Sequence, residues 1–344
     1  MDFKKQNLIS NFSLNSPIKV GVVGVGHLGK EHARIYSQLS QCELVGIYDT
    51  NLRAAETVGK KMGCRVFPSS QQLASAVDAV SVVVPTTAHL EVARLFLELG
   101  KDVFIEKPIA ETTVQAEEMV RLAQQKGRLL QVGHIERFNP VLSYLEKNLR
   151  EPRFIEAHRL SPYPGRGTDV SVVLDLMIHD LDVIMHLVRS PLVSFDAVGV
   201  AVLSPSEDIA NVRLKFGNGC VANVTTSRIS PEKLRKIRVF SADSYISLDY
   251  QNQEGEVYWK EAGAIKRDKV PVTKDEPLKL ELTSFLESVR RRSEPMVSGE
   301  QGKRALDVAV AIIEQIRKQS SKEIIKTDHS HPTEHLKGIL PDGF

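Results

Sequence analysis

Lys19-Val20-Gly21-Val22-Val23-Gly24-Val25-Gly26-His27-Leu28-Gly29 decides the fold. Lys19–Val25 is a compact apolar run of strand length that leads straight into G-x-G-x-x-G, and a helical pattern from His27 to Leu39 follows. The three glycines have separate jobs. Gly24 permits a tight turn, Gly26 lets a pyrophosphate approach the backbone, and Gly29 lets the helix pack close to the strand. The helix start at His27-Leu28-Gly29 offers unpaired N–H groups and the positive end of a dipole to phosphates. The second strand, Glu43–Asp49, ends on an acid at about 20 residues beyond the last glycine, the interval of a dinucleotide fingerprint. A carboxylate there accepts hydrogen bonds from a ribose 2′-hydroxyl and repels a 2′-phosphate. Asp49, with Thr50 beside it, therefore favours NAD over NADP, although Arg53 lies near enough to reach a phosphate.

Outward from that turn the chain alternates. A helix is expected over Leu52–Met62, then strands at Cys64–Phe67 and Ala79–Val84, a helix at Thr87–Leu99, a strand at Asp102–Ile105, a helix at Thr112–Gln125 and a strand at Leu129–Gly133. Ser69/Gln72 and Thr112/Gln115 have capping-box spacing. This rhythm predicts a doubly wound parallel sheet of Rossmann type over 17–138. Ligands in such sheets bind beyond the carboxyl ends of the strands, so Pro85, Thr86, His89, Glu106 and Lys107 join the candidate cofactor contacts. For His89, packing at a helix start is an equal alternative.

Beyond residue 138 the rhythm changes. Asn139-Pro140 opens a short helix to about Leu149, and a Pro/Gly-rich loop, Ser161–Thr168, precedes an apolar helix at 172–188. Strands are expected at Ser194–Leu203, Ala210–Phe216, Cys220–Ser227, Lys236–Ser241 and Tyr245–Tyr250, with a hairpin at Gly217-Asn218-Gly219. Helices at about Leu278–Arg292 and Glu300–Lys318 close the chain. The expected class is α/β: a Rossmann domain plus an α+β substrate and oligomerisation domain over 139–325, built on an open, largely antiparallel sheet. A polar arm (1–16) and a polar tail (326–344) flank the two. In the tail, His329, His331 and His335 are read as solvated rather than as metal ligands.

The whole-chain numbers exclude several classes. In 344 residues, 42% are apolar and 26% charged, and the formal net charge is only +2, so no global field draws the chain to nucleic acid or membrane. Cys42, Cys64 and Cys220 are too few and too scattered for a disulfide framework and lack metal-ligand spacing. With no apolar stretch of signal or membrane-spanning length, the expected location is cytoplasmic.

Chemistry is expected at two places. Glu106-Lys107-Pro108 ends the fifth strand, where nicotinamide and substrate would meet, and Lys107 can hydrogen-bond a reacting hydroxyl. On the apolar helix, Asp175, His179, Asp182 and His186 fall at i, i+4, i+7 and i+11, one stripe that needs partners or a wet cleft. An Asp one turn before a His makes an acid–base unit in which the carboxylate fixes the tautomer. A satisfied core network and a metal site are the alternatives to that reading, and no metal is expected.

Taken together, the glycine fingerprint, Glu106-Lys107-Pro108 and Asp175-x-x-x-His179-x-x-Asp182 resemble the glucose-fructose oxidoreductase/inositol dehydrogenase (Gfo/Idh/MocA) family over about 18–318. The resemblance implies Lys107 and His179 as catalytic groups binding the reacting hydroxyl, His179 as acid/base, and Asp175 as a substrate-binding or orienting carboxylate. It also implies a homodimer or homotetramer. Val132-Gly133-His134-Ile135-Glu136-Arg137-Phe138-Asn139-Pro140, with Val173–Asp182, looks most like members acting on nucleotide sugars, UDP-N-acetylglucosamine 3-dehydrogenases among them. Family members often carry glycines before the Asp/His helix, where this chain has Val170-Ser171-Val172-Val173. Arg137, Asn139 and Arg166 are candidate substrate contacts, Arg166 for a diphosphate. The expected activity is NAD-dependent oxidation of a secondary alcohol on a sugar or nucleotide sugar. Inositol or free-sugar dehydrogenase, NAD-assisted glycosidase and non-catalytic NAD-binding regulator are the alternatives.

Overall fold

The computed structural model describes residues 16–163 and 170–327, with side chains to 319. The first half alternates as the sequence predicts: β1 (Ile18–Val23), α1 (Gly29–Gln38), β2 (Cys42–Tyr48), α2 (Leu52–Met62), β3 (Arg65–Val66), α3 (Ser70–Ala76), β4 (Ala79–Val82), α4 (His89–Glu98), β5 (Asp102–Glu106), α5 (Thr113–Lys126) and β6 (Leu130–Gly133). All six strands run parallel in the order β3-β2-β1-β4-β5-β6, so the strand order reverses between β1 and β4. Both faces carry helices, which is why the strands are apolar without alternation: every residue of β4 and β6 is buried. Local signals set the helix ends. Asn51 accepts from the Ala54 N–H and Gly63 closes α2 at φ +67°, where a β-carbon would be strained. Thr112 and Gln115 form a full capping box, whereas Ser69 caps α3 by one bond from Gln72 N–H.

The second half contains α6 (Pro140–Asn148), β7 (Phe154–Leu160), a π turn (Val173–Met177) leading into α7 (Ile178–Val188), β8 (Leu192–Val200), β9 (Ile209–Phe216), β10 (Val221–Ser227), β11 (Leu234–Phe240), β12 (Ser244–Asp249), β13 (Glu254–Glu261), β14 (Ala264–Lys269), α8 (Pro277–Arg291) and α9 (Gly299–Thr327). Eight strands pair in the order β14-β13-β12-β11-β7-β10-β9-β8, antiparallel except for β7 with β10. One face is covered: Ile155, Val212, Leu214, Val224, Ile237 and Leu248 pack beneath α7 and α9. On the alternate positions Phe240 stacks on Tyr245 and Tyr245 on Tyr258, with centroids 4.6 and 5.0 Å apart.

The structure adds β7, β13 and β14 to the expected strands. β7 reads Phe-Ile-Glu-Ala-His-Arg-Leu, whose alternation is masked because Arg159 takes an inward position; β14 is exposed throughout and leaves no apolar pattern. The strand expected to reach Leu203 stops at Val200, and α9 runs to Thr327 rather than to Lys318. Arg166 and the tail histidines lie outside the described residues.

Late in the chain, α8 returns to the first sheet. Leu282, Phe285, Leu286 and Val289 join the core of β1 and α1, Phe285 meets Phe104 edge-on at 5.8 Å, and Arg292 pairs with Asp102. The same docking buries Glu281 completely, with no partner for either carboxylate oxygen among the described residues. Burial first, then the charges of Glu106, Asp182 and Glu136, push its carboxyl well above the ordinary range. The unfolded chain releases that proton near the ordinary Glu value, so above it the folded state holds more protons and stability falls as pH rises. Glu281→Gln is expected to remove this slope. In thermal unfolding the variant should match the parent below about pH 4 and exceed it by a few degrees at neutral pH; parallel pH profiles for the two proteins contradict the assignment.

Candidate active site

At the β1–α1 turn Gly24 has φ +85°, and a β-carbon there would strike the Val83 carbonyl. A β-carbon on Gly29 would fall on the Gly24 carbonyl oxygen, so α1 packs this close only because residue 29 is bare. Gly26 differs. A β-carbon there would touch nothing within 4 Å, and Gly26, His27 and Leu28 form an exposed face. That open cradle at a helix N-terminus fits a pyrophosphate. Asp49 is drawn to the same turn: its Oδ2 accepts from Val25 N–H at 2.7 Å and its Oδ1 from Asn51 N–H at 2.7 Å. A carboxylate has about four acceptor sites, so this pinning leaves capacity for ribose hydroxyls and fixes a negative charge there. Thr50 and Arg53 beside it are exposed. The residues present therefore fit a dinucleotide.

Farther along the strand ends the roles divide. Pro85 is exposed and Thr86 half-buried, open to a ligand. His89 is buried, with Nε2 at 3.0 Å from the Val84 carbonyl and Nδ1 at 3.1 and 3.2 Å from those of Pro108 and Ile109. The ring lies between the end of β4 and the segment after β5, which agrees with the packing alternative. Glu106 accepts from Nε2 of the fully buried His32 at 3.0 Å. Burial works to raise its carboxyl pKa, but the His32 hydrogen bond and the neighbouring Lys107 outweigh it and hold the group ionised.

Lys107, joined to Pro108 by a cis peptide bond, reaches across to the second half of the chain. Its Nζ donates to the Asp175 carbonyl at 2.6 Å and to Asp175 Oδ1 at 3.2 Å. The main-chain contact depends on the π turn, in which Ile178 N–H bonds the Val173 carbonyl five residues back. A strap sets the start of that turn: Arg228 Nη1 donates to the Val170 carbonyl at 2.6 Å, Ser171 Oγ bonds Glu207, and buried Asp208 pairs with Arg228 Nε at 2.9 Å. Val170, Ser171 and Val173 are thus held by side-chain bonds.

One turn after Asp175 comes His179. Burial, then the Lys107 ammonium and the Arg159 guanidinium, hold its imidazole well below the ordinary range, so the ring is neutral and keeps one nitrogen as an acceptor. Its position follows from Asp180 next door. Arg159, buried on β7, makes a two-pronged contact to Asp180 at 2.7 and 3.1 Å and reaches Glu136 at 2.9 Å.

The expected polar stripe does not run as one. Asp175 serves Lys107 and not His179, whose buried Nδ1 has no partner among the described residues, so the expected Asp–His unit is corrected. Asp182 is buried beside Arg137, 3.6 Å from its Nη1, and His186 donates to Glu146 at 2.7 Å on α6. Arg137 and Asn139 are buried too, Arg137 bonding the Met296 carbonyl and Asn139 the Tyr250 carbonyl. These bonds tie the turn after β6 to residues 250 and 296. Sequence reasoning passed over His32, His134, Arg159, Asp180 and Glu136. Arg159 broke the alternation of β7, and His134 and Glu136 stood in the quoted stretch 132–140 with no role assigned.

Comparison with known proteins agrees with this geometry. Residues 18–134 match the profile "Oxidoreductase family, NAD-binding Rossmann fold" of GFO_IDH_MocA, and 147–246 match the GFO/IDH/MocA C-terminal domain. UDP-N-acetylglucosamine 3-dehydrogenase of Acidithiobacillus ferrooxidans is 36% identical over 302 residues, 86% of this chain and 96% of that protein. Its solved structure superposes with a TM-score of 0.84 over 88% of this chain and 98% of that one. Inositol 2-dehydrogenase of Cereibacter sphaeroides is 32% identical over 190 residues, 53% of this chain and 57% of that protein.

Lys107 lowers the His179 pKa as the second cause after burial. In Lys107→Met the imidazole should therefore titrate at higher pH than in the parent, followed by NMR of ring-labelled histidine. A lower or unmoved titration contradicts the placement of the ammonium beside the ring.

Proposed function

This chain belongs to the Gfo/Idh/MocA family of NAD-binding oxidoreductases, and we propose that it is an NAD-dependent dehydrogenase that oxidises a secondary alcohol of a nucleotide sugar, UDP-N-acetylglucosamine by preference, to the ketone. The observation that carries this reading is the meeting of Lys107, from the first sheet, with the helix turn that presents His179, from the second. The nucleotide-sugar preference rests on the likeness to the Acidithiobacillus enzyme over nearly its whole length. When bound, NAD supplies the acceptor for the substrate's hydride. Gly24, Gly26 and Gly29 make the bed for its pyrophosphate, and Asp49 takes the ribose hydroxyls and selects NAD over NADP.

The chain's own groups do the rest. Lys107 donates a hydrogen bond to the reacting hydroxyl and stabilises negative charge developing on its oxygen. Neutral His179 accepts the hydroxyl proton. Asp175 keeps the Lys107 ammonium directed toward the helix turn and offers its half-exposed carboxylate to a neighbouring sugar hydroxyl. The exposed valines of β8, Val193, Val198 and Val200, support assembly as a homodimer or homotetramer.

Purified protein with NAD and UDP-N-acetylglucosamine should form NADH, read by its near-ultraviolet absorbance. NADH from inositol or free sugars alone would move the substrate class, and aglycone release without net NADH would replace the dehydrogenase by a glycosidase. His179→Ala should lower turnover by about 10²–10⁴-fold with NAD affinity retained; an equal loss of NAD binding contradicts its role. Asp49→Ser should narrow the preference for NAD over NADP, measured as the ratio of kcat/KM values.

A further inference from the structure

His134 follows β6, beyond the carboxyl end of a strand of the first sheet. Its ring is 1% exposed, and neither ring nitrogen has a hydrogen-bond partner among the described residues. It meets the His179 ring edge to face, with centroids 6.2 Å apart and planes at 86°. His179 Nδ1 is buried and unpartnered as well. Each unanswered polar atom in a packed interior costs about 1–3 kcal/mol, so three such nitrogens on two adjoining rings call for a shared function. No hydrogen bond joins the two rings directly, so proton exchange between them requires a bridging water.

The surroundings of the two rings differ in sign. His179 faces Lys107 after β5, Arg159 on β7 and Arg235 on β11, all cationic. His134 faces Asp182 on α7 and Glu106 on β5, opposed by Lys107 and by Arg137 of the 3-10 turn that follows β6. Burial lowers both imidazoles; the next cause lowers His179 further (Lys107) but raises His134 (Asp182). A positive charge is therefore better placed on His134 than on His179.

We propose that His134 is a positioning residue that orients His179 and receives its second proton, an inference that rests on the dehydrogenase reading. The substrate O–H bond breaks and its proton goes to His179 Nε2. The His179 Nδ1–H bond breaks, and that proton passes through the water to a lone pair on a His134 nitrogen. No electrons move in this relay; the electron pair of the substrate C–H bond leaves separately in the redox step. His179 returns neutral as the other tautomer, and the charge rests on His134 beside Asp182.

His134→Asn keeps a polar side chain but cannot hold the proton. With NAD and UDP-N-acetylglucosamine it should reduce kcat about 10²-fold, the low end for acid–base help, with NAD affinity unchanged and the acid limb of the pH profile shifted. The parent's rate should curve with the deuterium fraction of the solvent, as for two protons in flight, and the variant's should be linear. Unchanged kcat and curvature in the variant overturn the relay. A second measurement needs no turnover: in ring-labelled full-length protein, His179→Asn should move the His134 titration, because the two sites titrate as a coupled pair. If it stays in place the relay is overturned. If it moves while the parent oxidises no sugar tested, the pair stands and the dehydrogenase reading fails.

Discussion

An arginine shut away from water must be answered by carboxylates, and Arg159 is answered by two. Asp180 takes its fork from α7 and Glu136 takes its remaining end from the turn after β6. Three separate elements are thereby fixed to one guanidinium at the seam between the sheets. Breaking a buried pair of this kind costs roughly 3–5 kcal/mol, whereas an exposed pair such as Lys279 with Asp275 contributes about 0.2–1 kcal/mol. The seam is held by the first kind. His179 adjoins Asp180, so the place of its imidazole follows from where Arg159 is buried.

The helix that carries His179 is tethered at its other end by different chemistry. Arg228 is as deeply buried as Arg159, but it spends its donors on the Val170 and Glu207 carbonyls and on serine hydroxyls as well as on Asp208. Asp208 in turn accepts the N–H groups of Val202, Leu203 and Ser204. Burial works to raise its carboxyl pKa, but the hydrogen bonds from Ser204, the two backbone N–H groups and Arg228 outweigh it and hold the group well below the usual range. A segment that lacks helix or strand pairing gains its order from these two side chains, and the π turn starts from a fixed point.

The first sheet was legible because a fully covered parallel sheet leaves an unmistakable trace: β-branched runs, turn glycines and caps at regular intervals, as at Val22, Gly24 and Thr112. Lys107 and His179 were legible as polar residues at strand and helix positions with nothing local to satisfy them. Their partners were not. Asp180 and Glu136 sit next to residues that drew attention, and their importance depends on Arg159, which only tertiary structure brings to them. β13 and β14 escaped because an edge of an open sheet can be polar on both faces. Helical periodicity also assumed 3.6 residues per turn through Asp175, an assumption that the π turn breaks.

A turn that closes on the fifth residue holds one residue more than an α turn requires. In an α-helix each residue advances the side-chain direction by about 100°, so loss of one residue of Val173–Met177 other than Asp175 turns Asp175 relative to α7 while α7 stays seated on the sheet. Helix packing and the aim of the carboxylate are thus separable quantities in this architecture.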